Sequence, residues 1–271
     1  MCRSYRVTSW QAKDVRVTIL GCSGSVNGPG SPASGYLLTA TGCEPLVIDF
    51  GGGVLGELQR FADPGDVNVF LSHLHADHCL DLPGLFVWRR YHPTNKPVGR
   101  KRMWGPADTW ERLAAASSPY GNHLDDFNDI FEVKNFTDKM EFRYGNLDVL
   151  VRAMVHPTVS YGMRFTDSDG TVLVYSGDTG MCDAIGELAQ GADVFLCEAS
   201  WTHGPHNPPD LHLSGTEAGR IAAAAGVGEL LITHIPPWTN REDVIAEAKA
   251  EYDGPIHAVS SGEAFDIRKK H

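Results

Sequence analysis

The sequence predicts a layered α/β fold built as a single domain over residues 1–271. Three observations predict it. A chain of 271 residues buries a large core without staples. Short apolar strands alternate with helical segments through both halves. No low-complexity linker, and no internal repeat of roughly 20 to 50 residues, interrupts them.

Residues 15–20 (VRVTIL), 35–38 and 46–50 (LVIDF) read as short buried strands closed by Gly, Ser or Pro turns, and 54–61 as a helix. The strand at 67–71 runs into SHLHADH, and the apolar segment 80–91 is expected to be the next helix. A Pro/Gly/Lys-rich stretch, 93–102, precedes a helical run at 108–116. In the second half 147–155, 161–165, 172–175 and 193–197 are expected strands, with a helix at 183–190. Helix 214–225 carries a capping box, Ser214 with Glu217 three residues on. Strand 230–233, helix 242–251 and strand 264–267 complete the order.

Lys and Arg total 23 against 34 Asp and Glu, a formal charge of −11 that repels polyanions and disfavours a long nucleic-acid partner. Cys2, Cys22, Cys43, Cys79, Cys182 and Cys197 are scattered, without a CxxC pair, as expected of free thiols in a reducing compartment. Residues 1–14 lack an apolar signal core, and no run reaches the roughly 18 apolar residues of a membrane span. The expectation is a soluble, cytoplasmic protein with no membrane partner.

Histidine is the unusual residue, with 12 copies. His73, His75, Asp77 and His78 fall within six positions directly after a strand, so one loop can aim all four at one point. Imidazole nitrogen and carboxylate oxygen suit zinc, and also manganese or iron. His156, Asp178 and His234 each follow an apolar strand, which suggests ligands gathered at one end of a sheet. Gly51 to Gly56 (GGGVLG) fits GxGxxG between a strand and a helix, but the following strand lacks the ribose-binding acid of a dinucleotide fold. Gly21 to Ser25 (GCSGS) lacks the last glycine of a nucleophile elbow. Its Ser23 and Gly24 read as a turn lining the site, with a plain turn as the equal alternative.

With HxHxDH at 73–78, His156, Asp178 in SGDTG, and His234, the sequence resembles the metallo-β-lactamase-fold hydrolases over nearly its whole length. The resemblance implies an αββα four-layer sandwich and two divalent metal ions. His73, His75 and His156 would hold one, Asp77, His78 and His234 the other, and Asp178 would bridge them. Asp49, before a Gly turn, would orient a ligating histidine. Glu198 and His212, in EAS and HLSGTEAG, resemble the phosphodiesterase branch that contains ribonuclease Z, where such a His acts on the phosphate or leaving oxygen and the Glu holds it. The sequence departs from that branch at Cys197, where a His is usual. It also has only 22 positions from His156 to Asp178, too few for the tRNA-gripping arm.

Further stretches, among them GCSGSVNGPGSPASGYLL, EASWTH and THIPPWT, resemble the actinobacterial enzymes described as atypical class II 3′,5′-cyclic-nucleotide phosphodiesterases. That likeness implies hydrolysis of cAMP to 5′-AMP, by hydroxide shared between the metals attacking phosphorus. Asp77 would orient it and His212, held by Glu198, would serve the leaving O3′. Trp88, Arg89, Trp201, His203 and Trp238 are candidates to stack a base or hold phosphate, against ordinary packing or solvation. A tRNA 3′ endonuclease of the ribonuclease Z kind, and arylsulfatase, lactonase or β-lactamase chemistry, are the enzymatic alternatives. A diiron centre or a non-catalytic metal-binding protein lies outside hydrolysis. A homodimer is left open, with no interface legible.

Overall fold

The structure is a computed structural model that describes residues 15–94, 98–121 and 123–269. The expectations for residues 1–14, Cys2 included, lie outside those residues. Strands β1 (Val15–Gly21), β2 (Gly35–Ala40), β3 (Leu46–Ile48), β4 (Asn68–Phe70), β5 (Lys101–Gly105) and β6 (Phe131–Asn135) belong to one sheet. The other contains β7 (Glu141–Tyr144), β8 (Leu147–Met154), β9 (Ser160–Thr166), β10 (Val172–Tyr175), β11 (Val194–Glu198), β12 (Glu229–Thr233) and β13 (Ile256–Ala258). The last strand, β14 (Ala264–Ile267), returns to pair antiparallel with β1 in the first sheet. The orders are β14-β1-β2-β3-β4-β5-β6 and β13-β12-β11-β10-β9-β8-β7. Each sheet is antiparallel at one side and parallel at the other.

Side-chain parity explains the layering. Successive strand residues face opposite ways, so Val17, Tyr36, Phe70, Leu173, Tyr175, Leu196 and Leu231 enter one core shared by both sheets. Their neighbours Leu37 and Val69 face outward onto α1 (Val54–Leu58), α3 (Leu82–Tyr91) and α4 (Thr109–Ala116). Val174, Phe195, Cys197 and Ile232 pack toward α5 (Asp183–Ala189), α6 (Gly215–Ala224) and α7 (Arg241–Glu251). This is the four-layer αββα sandwich of the metallo-β-lactamase fold. The same parity puts Glu198 and Thr233, two residues beyond Leu196 and Leu231, on inner faces at the strand ends.

Several sequence expectations need correcting. The helix expected at 80–91 is α3, which starts two residues later at Leu82 with Pro83 in its first turn, and a short helix that the sequence did not signal, α2 (Ala76–Cys79), precedes it. Residues 101 and 102 begin β5 rather than ending a loop. Strands β6, β7 and β13 had no clear sequence signal. All three are sheet edges, where partly exposed charged residues such as Glu132, Lys134, Glu141 and Arg143 blur the apolar alternation. The capping box at Ser214 and Glu217 is present, with both reciprocal bonds. Only β9, a turn and β10 lie between His156 and Asp178. Cys22, Cys43, Cys79, Cys182 and Cys197 are free thiols. Among the described residues, no helix is long and apolar enough to cross a membrane.

Candidate metal centre

The loop after β4 carries four of the expected ligands, and its path is fixed by backbone bonds to the first sheet. Phe50 N–H donates to the His78 carbonyl (2.6 Å) and Ser34 N–H to that of Asp77 (3.1 Å). A Cβ on Gly51 would lie 1.9 Å from the Asp77 carbonyl oxygen. That glycine of the GGG turn is therefore required by the close approach of the metal loop, not by a dinucleotide. His156 follows β8, Asp178 follows β10 and His234 follows β12. The ligands thus converge from strand ends of both sheets, which corrects the expectation of a single sheet: strand order cannot be read from an apolar pattern.

Seven side chains form two groups whose ligand atoms lie within 4.8 Å of one another: His73, His75, His156 and Asp178, then Asp77, His78 and His234. In the first, His75 Nδ1 is 3.1 Å from both His73 Nε2 and His156 Nε2. In the second, His234 Nε2 is 3.2 Å from His78 Nε2 and 3.1 Å from Asp77 Oδ2. Asp178 Oδ2 touches both, 3.5 Å from His73 Nε2 and 3.3 Å from His78 Nε2 and His234 Nε2.

The outward nitrogens decide what the inward ones present. His78 Nδ1 donates to Asp49 Oδ2 (2.8 Å) and His156 Nδ1 to the Leu211 carbonyl (2.7 Å). Ser72 Oγ gives its proton to Asp49 (2.7 Å) and so accepts from His73 Nδ1 (3.0 Å). Ser200 Oγ, with Glu198 Oε2 at 3.1 Å to receive its proton, accepts from His234 Nδ1 (2.9 Å). The inner ring therefore consists of lone pairs and carboxylate oxygens facing one another, and Asp178 Oδ1 is buried without any partner. Only positive charge satisfies such a set, and its nitrogen and oxygen donors fit divalent cations.

Proton affinities agree. Burial, reinforced by neighbouring imidazoles, lowers the pKa of His73 and of His75, and burial also lowers that of His156, leaving them neutral and ligand-ready. Burial opposes charge on His78 too, but Asp178 and Asp49 outweigh it and hold its pKa well above the usual value. Burial would raise Asp178, yet His234, His78 and His73 keep it ionised. Burial likewise opposes charge on Asp77, and hydrogen bonds from His234 and His78 overcome it.

Asp49 is fully buried with φ 58°, and accepts four bonds, from Ser72 N (2.7 Å), Ser72 Oγ, His78 Nδ1 and Tyr175 Oη (2.7 Å). Of these partners the sequence had singled out only His78. His212 lies beside the cluster, its Nδ1 3.0 Å from Glu198 Oε1 and 3.8 Å from Asp178 Oδ2. Glu198 is itself fixed, accepting from Thr179 N (2.7 Å) and Ser200 Oγ. Burial disfavours the imidazolium of His212, but the Glu198 carboxylate, helped by Asp178, pushes its pKa up to about 9. The capping box holds Ser214, two residues on, at the start of α6.

The tentative substrate contacts separate. Trp201 stands edge-on to His212, with centroids 5.2 Å apart and a buried indole N–H that has no partner. Trp238 is 70% exposed, four residues past His234. Gly24 abuts His234: a Cβ there would be 2.3 Å from its carbonyl oxygen. Ser23 is committed elsewhere, its N–H to the Pro32 carbonyl and its hydroxyl to that of Val26. His203 bonds Ser214 Oγ and the Glu247 carboxylate at the start of α6. Trp88 packs on His92. Arg89 is no substrate ligand: it is buried, with its guanidinium over the Phe131 ring and donating to the carbonyls of Gly65 and Gly99. It ties two turns to the back of α3.

Comparison with known proteins agrees with this geometry. Residues 46–235 match the beta-lactamase superfamily domain. The uncharacterized protein ML1173 of Mycobacterium leprae is 69% identical over 254 residues, covering 94% of this chain and 89% of that protein. The probable metallo-hydrolase YhfI of Bacillus subtilis is 28% identical over 250 residues, covering 92% and 98%. Its crystal structure, described as a metallo-beta-lactamase fold protein, superposes with a TM-score of 0.83 at 26% identity, over 93% of this chain and 99% of that one. Ribonuclease Z of Mycobacterium marinum is 28% identical over 249 residues, covering 82% and 87%.

Proposed function

We propose that this chain, a member of the beta-lactamase superfamily with His/Asp clusters able to bind metal ions, is a phosphodiesterase that hydrolyses 3′,5′-cyclic nucleotides, cAMP to 5′-AMP foremost. The observation that carries this reading is His212, a half-buried imidazole beside the cluster and backed by the Glu198 carboxylate. When bound, a pair of divalent cations, zinc first, supplies Lewis acidity toward phosphate oxygens and makes water a competent nucleophile near neutral pH. The protein's part is orientation and proton supply. Asp77 and Asp178 set the positions of the ions and of the attacking water. His212 Nδ1 is engaged by Glu198, so its Nε2–H is the proton available to the departing O3′. That step is needed for an alkoxide leaving group and dispensable for an activated aryl one such as p-nitrophenolate.

Small substrates are favoured by the short β9–β10 connection, which leaves no room for a tRNA-gripping arm, and by the charge of −11. The test compares wild type with His212→Ala on cAMP, bis-p-nitrophenyl phosphate and a p-nitrophenyl carboxylic ester. The reading expects a loss of about 100-fold or more on cAMP and a much smaller loss on the activated substrates. Wild-type protein that leaves cAMP intact while trimming the 3′ trailer of precursor tRNA would put the ribonuclease reading in its place.

A further inference from the structure

Two buried tyrosines, Tyr36 and Tyr175, meet across the sandwich, one from each sheet, with ring centroids 5.0 Å apart, planes tilted by 53° and relative exposures of 0% and 1%. Both hydroxyls point at groups behind the same cation position. Tyr175 Oη donates to Asp49 Oδ2 (2.7 Å), the oxygen that receives His78 Nδ1–H (2.8 Å). Tyr36 Oη is 2.8 Å from Thr233 Oγ1, and Thr233 is the last residue of β12 before His234, whose backbone turns through a φ of 59°. The Asp77/His78/His234 group is thus backed from the core by carboxylates. His78 leans on Asp49, and His234 leans on Ser200, which donates to Glu198. In the His73/His75/His156 group no outward nitrogen bonds a carboxylate directly: His73 reaches Asp49 only through the Ser72 hydroxyl, and His156 leans on a backbone carbonyl.

We infer that Tyr36 and Tyr175 are positioning residues that hold the Asp77/His78/His234 position in its high-affinity state, and that this position keeps its cation more tightly than the His73/His75/His156 position. The physical reason is that a carboxylate behind an imidazole raises the basicity of the ligand nitrogen and locks its tautomer. The Tyr175 hydroxyl fixes where Asp49 Oδ2 points, while the Thr233 contact pins the strand end from which His234 departs. Of the Asp77/His78/His234 group only Asp77 is half-buried, whereas in the other group His75 and His156 both are, with His73 buried, so solvent reaches more of the ligands there.

The inference rests on the reading that the cluster binds two cations, and its test needs no substrate. Zinc-loaded wild type and the Tyr175→Phe and Tyr36→Phe variants are dialysed against graded chelator. Bound zinc is counted, and anomalous diffraction from partly stripped crystals gives the occupancy of each position. Wild type is expected to lose the His73/His75/His156 ion first. Tyr175→Phe should weaken the other position about tenfold, with a smaller loss at the first, which reaches Asp49 only through Ser72, so that the order of loss converges or inverts. Tyr36→Phe should act in the same direction with its ring still in place. Equal weakening of both ions in step with a lowered melting temperature would mean that the tyrosines only fill the core, and unchanged occupancies would mean that they do nothing to the site; either result overturns the inference. Protein that binds no zinc at all would instead overturn the two-cation reading beneath it.

Discussion

A methyl group added at Gly24 should disable the site from the side. The Cβ of a Gly24→Ala variant would lie 2.3 Å from the His234 carbonyl oxygen and 2.8 Å from His234 Nδ1. Ordinary carbon–heavy-atom contacts fall near 3.5 Å, so one segment must retreat by about 1 Å. His234 has little slack. It is 2% exposed, its Nδ1 donates to Ser200 Oγ (2.9 Å), and Ile235 N–H donates to the Cys22 carbonyl (3.2 Å) across the same seam. Overpacking of this kind costs about 1–3 kcal/mol of stability, and a displacement of about 1 Å costs on the order of 100-fold in rate. Melting followed by circular dichroism, metal counting and turnover of bis-p-nitrophenyl phosphate measure the three effects. A variant that melts, binds metal and turns over like wild type would show that the 22–24 loop does not brace His234.

Three other outcomes are expected. In metal-free protein the His212 ring resonance should titrate near pH 9, and Glu198→Gln should bring it down toward about 6.5. The folded state holds that proton more tightly than the unfolded chain, so the stabilisation is complete below about pH 6.5 and is lost as pH rises through about 9; a wild-type resonance titrating at or below 6.5 in NMR spectra would contradict this. Asp49→Asn forces an amide N–H₂ against donors or shifts the His78 proton to Nε2, and should weaken metal retention about 10- to 100-fold, read by chelator competition. Phe70→Ala empties the centre of an aromatic cluster that includes Tyr144 at 5.3 Å and Phe136 at 5.5 Å, and denaturant titration should show a loss of about 3–5 kcal/mol.

The seven side chains that converge in the cluster were legible because ligand chemistry is dense in HxHxDH and each of the others follows an apolar strand. Asp49 stood out through its Gly turn, and Glu198 and His212 through their motif. What stayed hidden was mostly what supports them. The Leu211 carbonyl holds His156, but every residue offers a carbonyl, so no side-chain signal could mark it. Ser72 and Ser200 adjoin ligands or Glu198 in sequence, which is the only hint they gave. Tyr36 and Tyr175 read as core aromatics, because their hydroxyl partners come from other strands. Arg89 misled because a surface or ligand role is the ordinary prior for arginine, whereas here two turn carbonyls and an aromatic face compensate its burial. Convergence of two sheets on one site was illegible for the same long-range reason.

Product analysis and metal counting on one zinc-loaded preparation incubated with cAMP decide whether this fold works as a phosphodiesterase of cyclic nucleotides. The expected result is 5′-AMP as product, two ions per chain, and activity that disappears and returns with the ions. Untouched cAMP in a protein that holds both ions, or hydrolysis that persists after both are stripped, would contradict it.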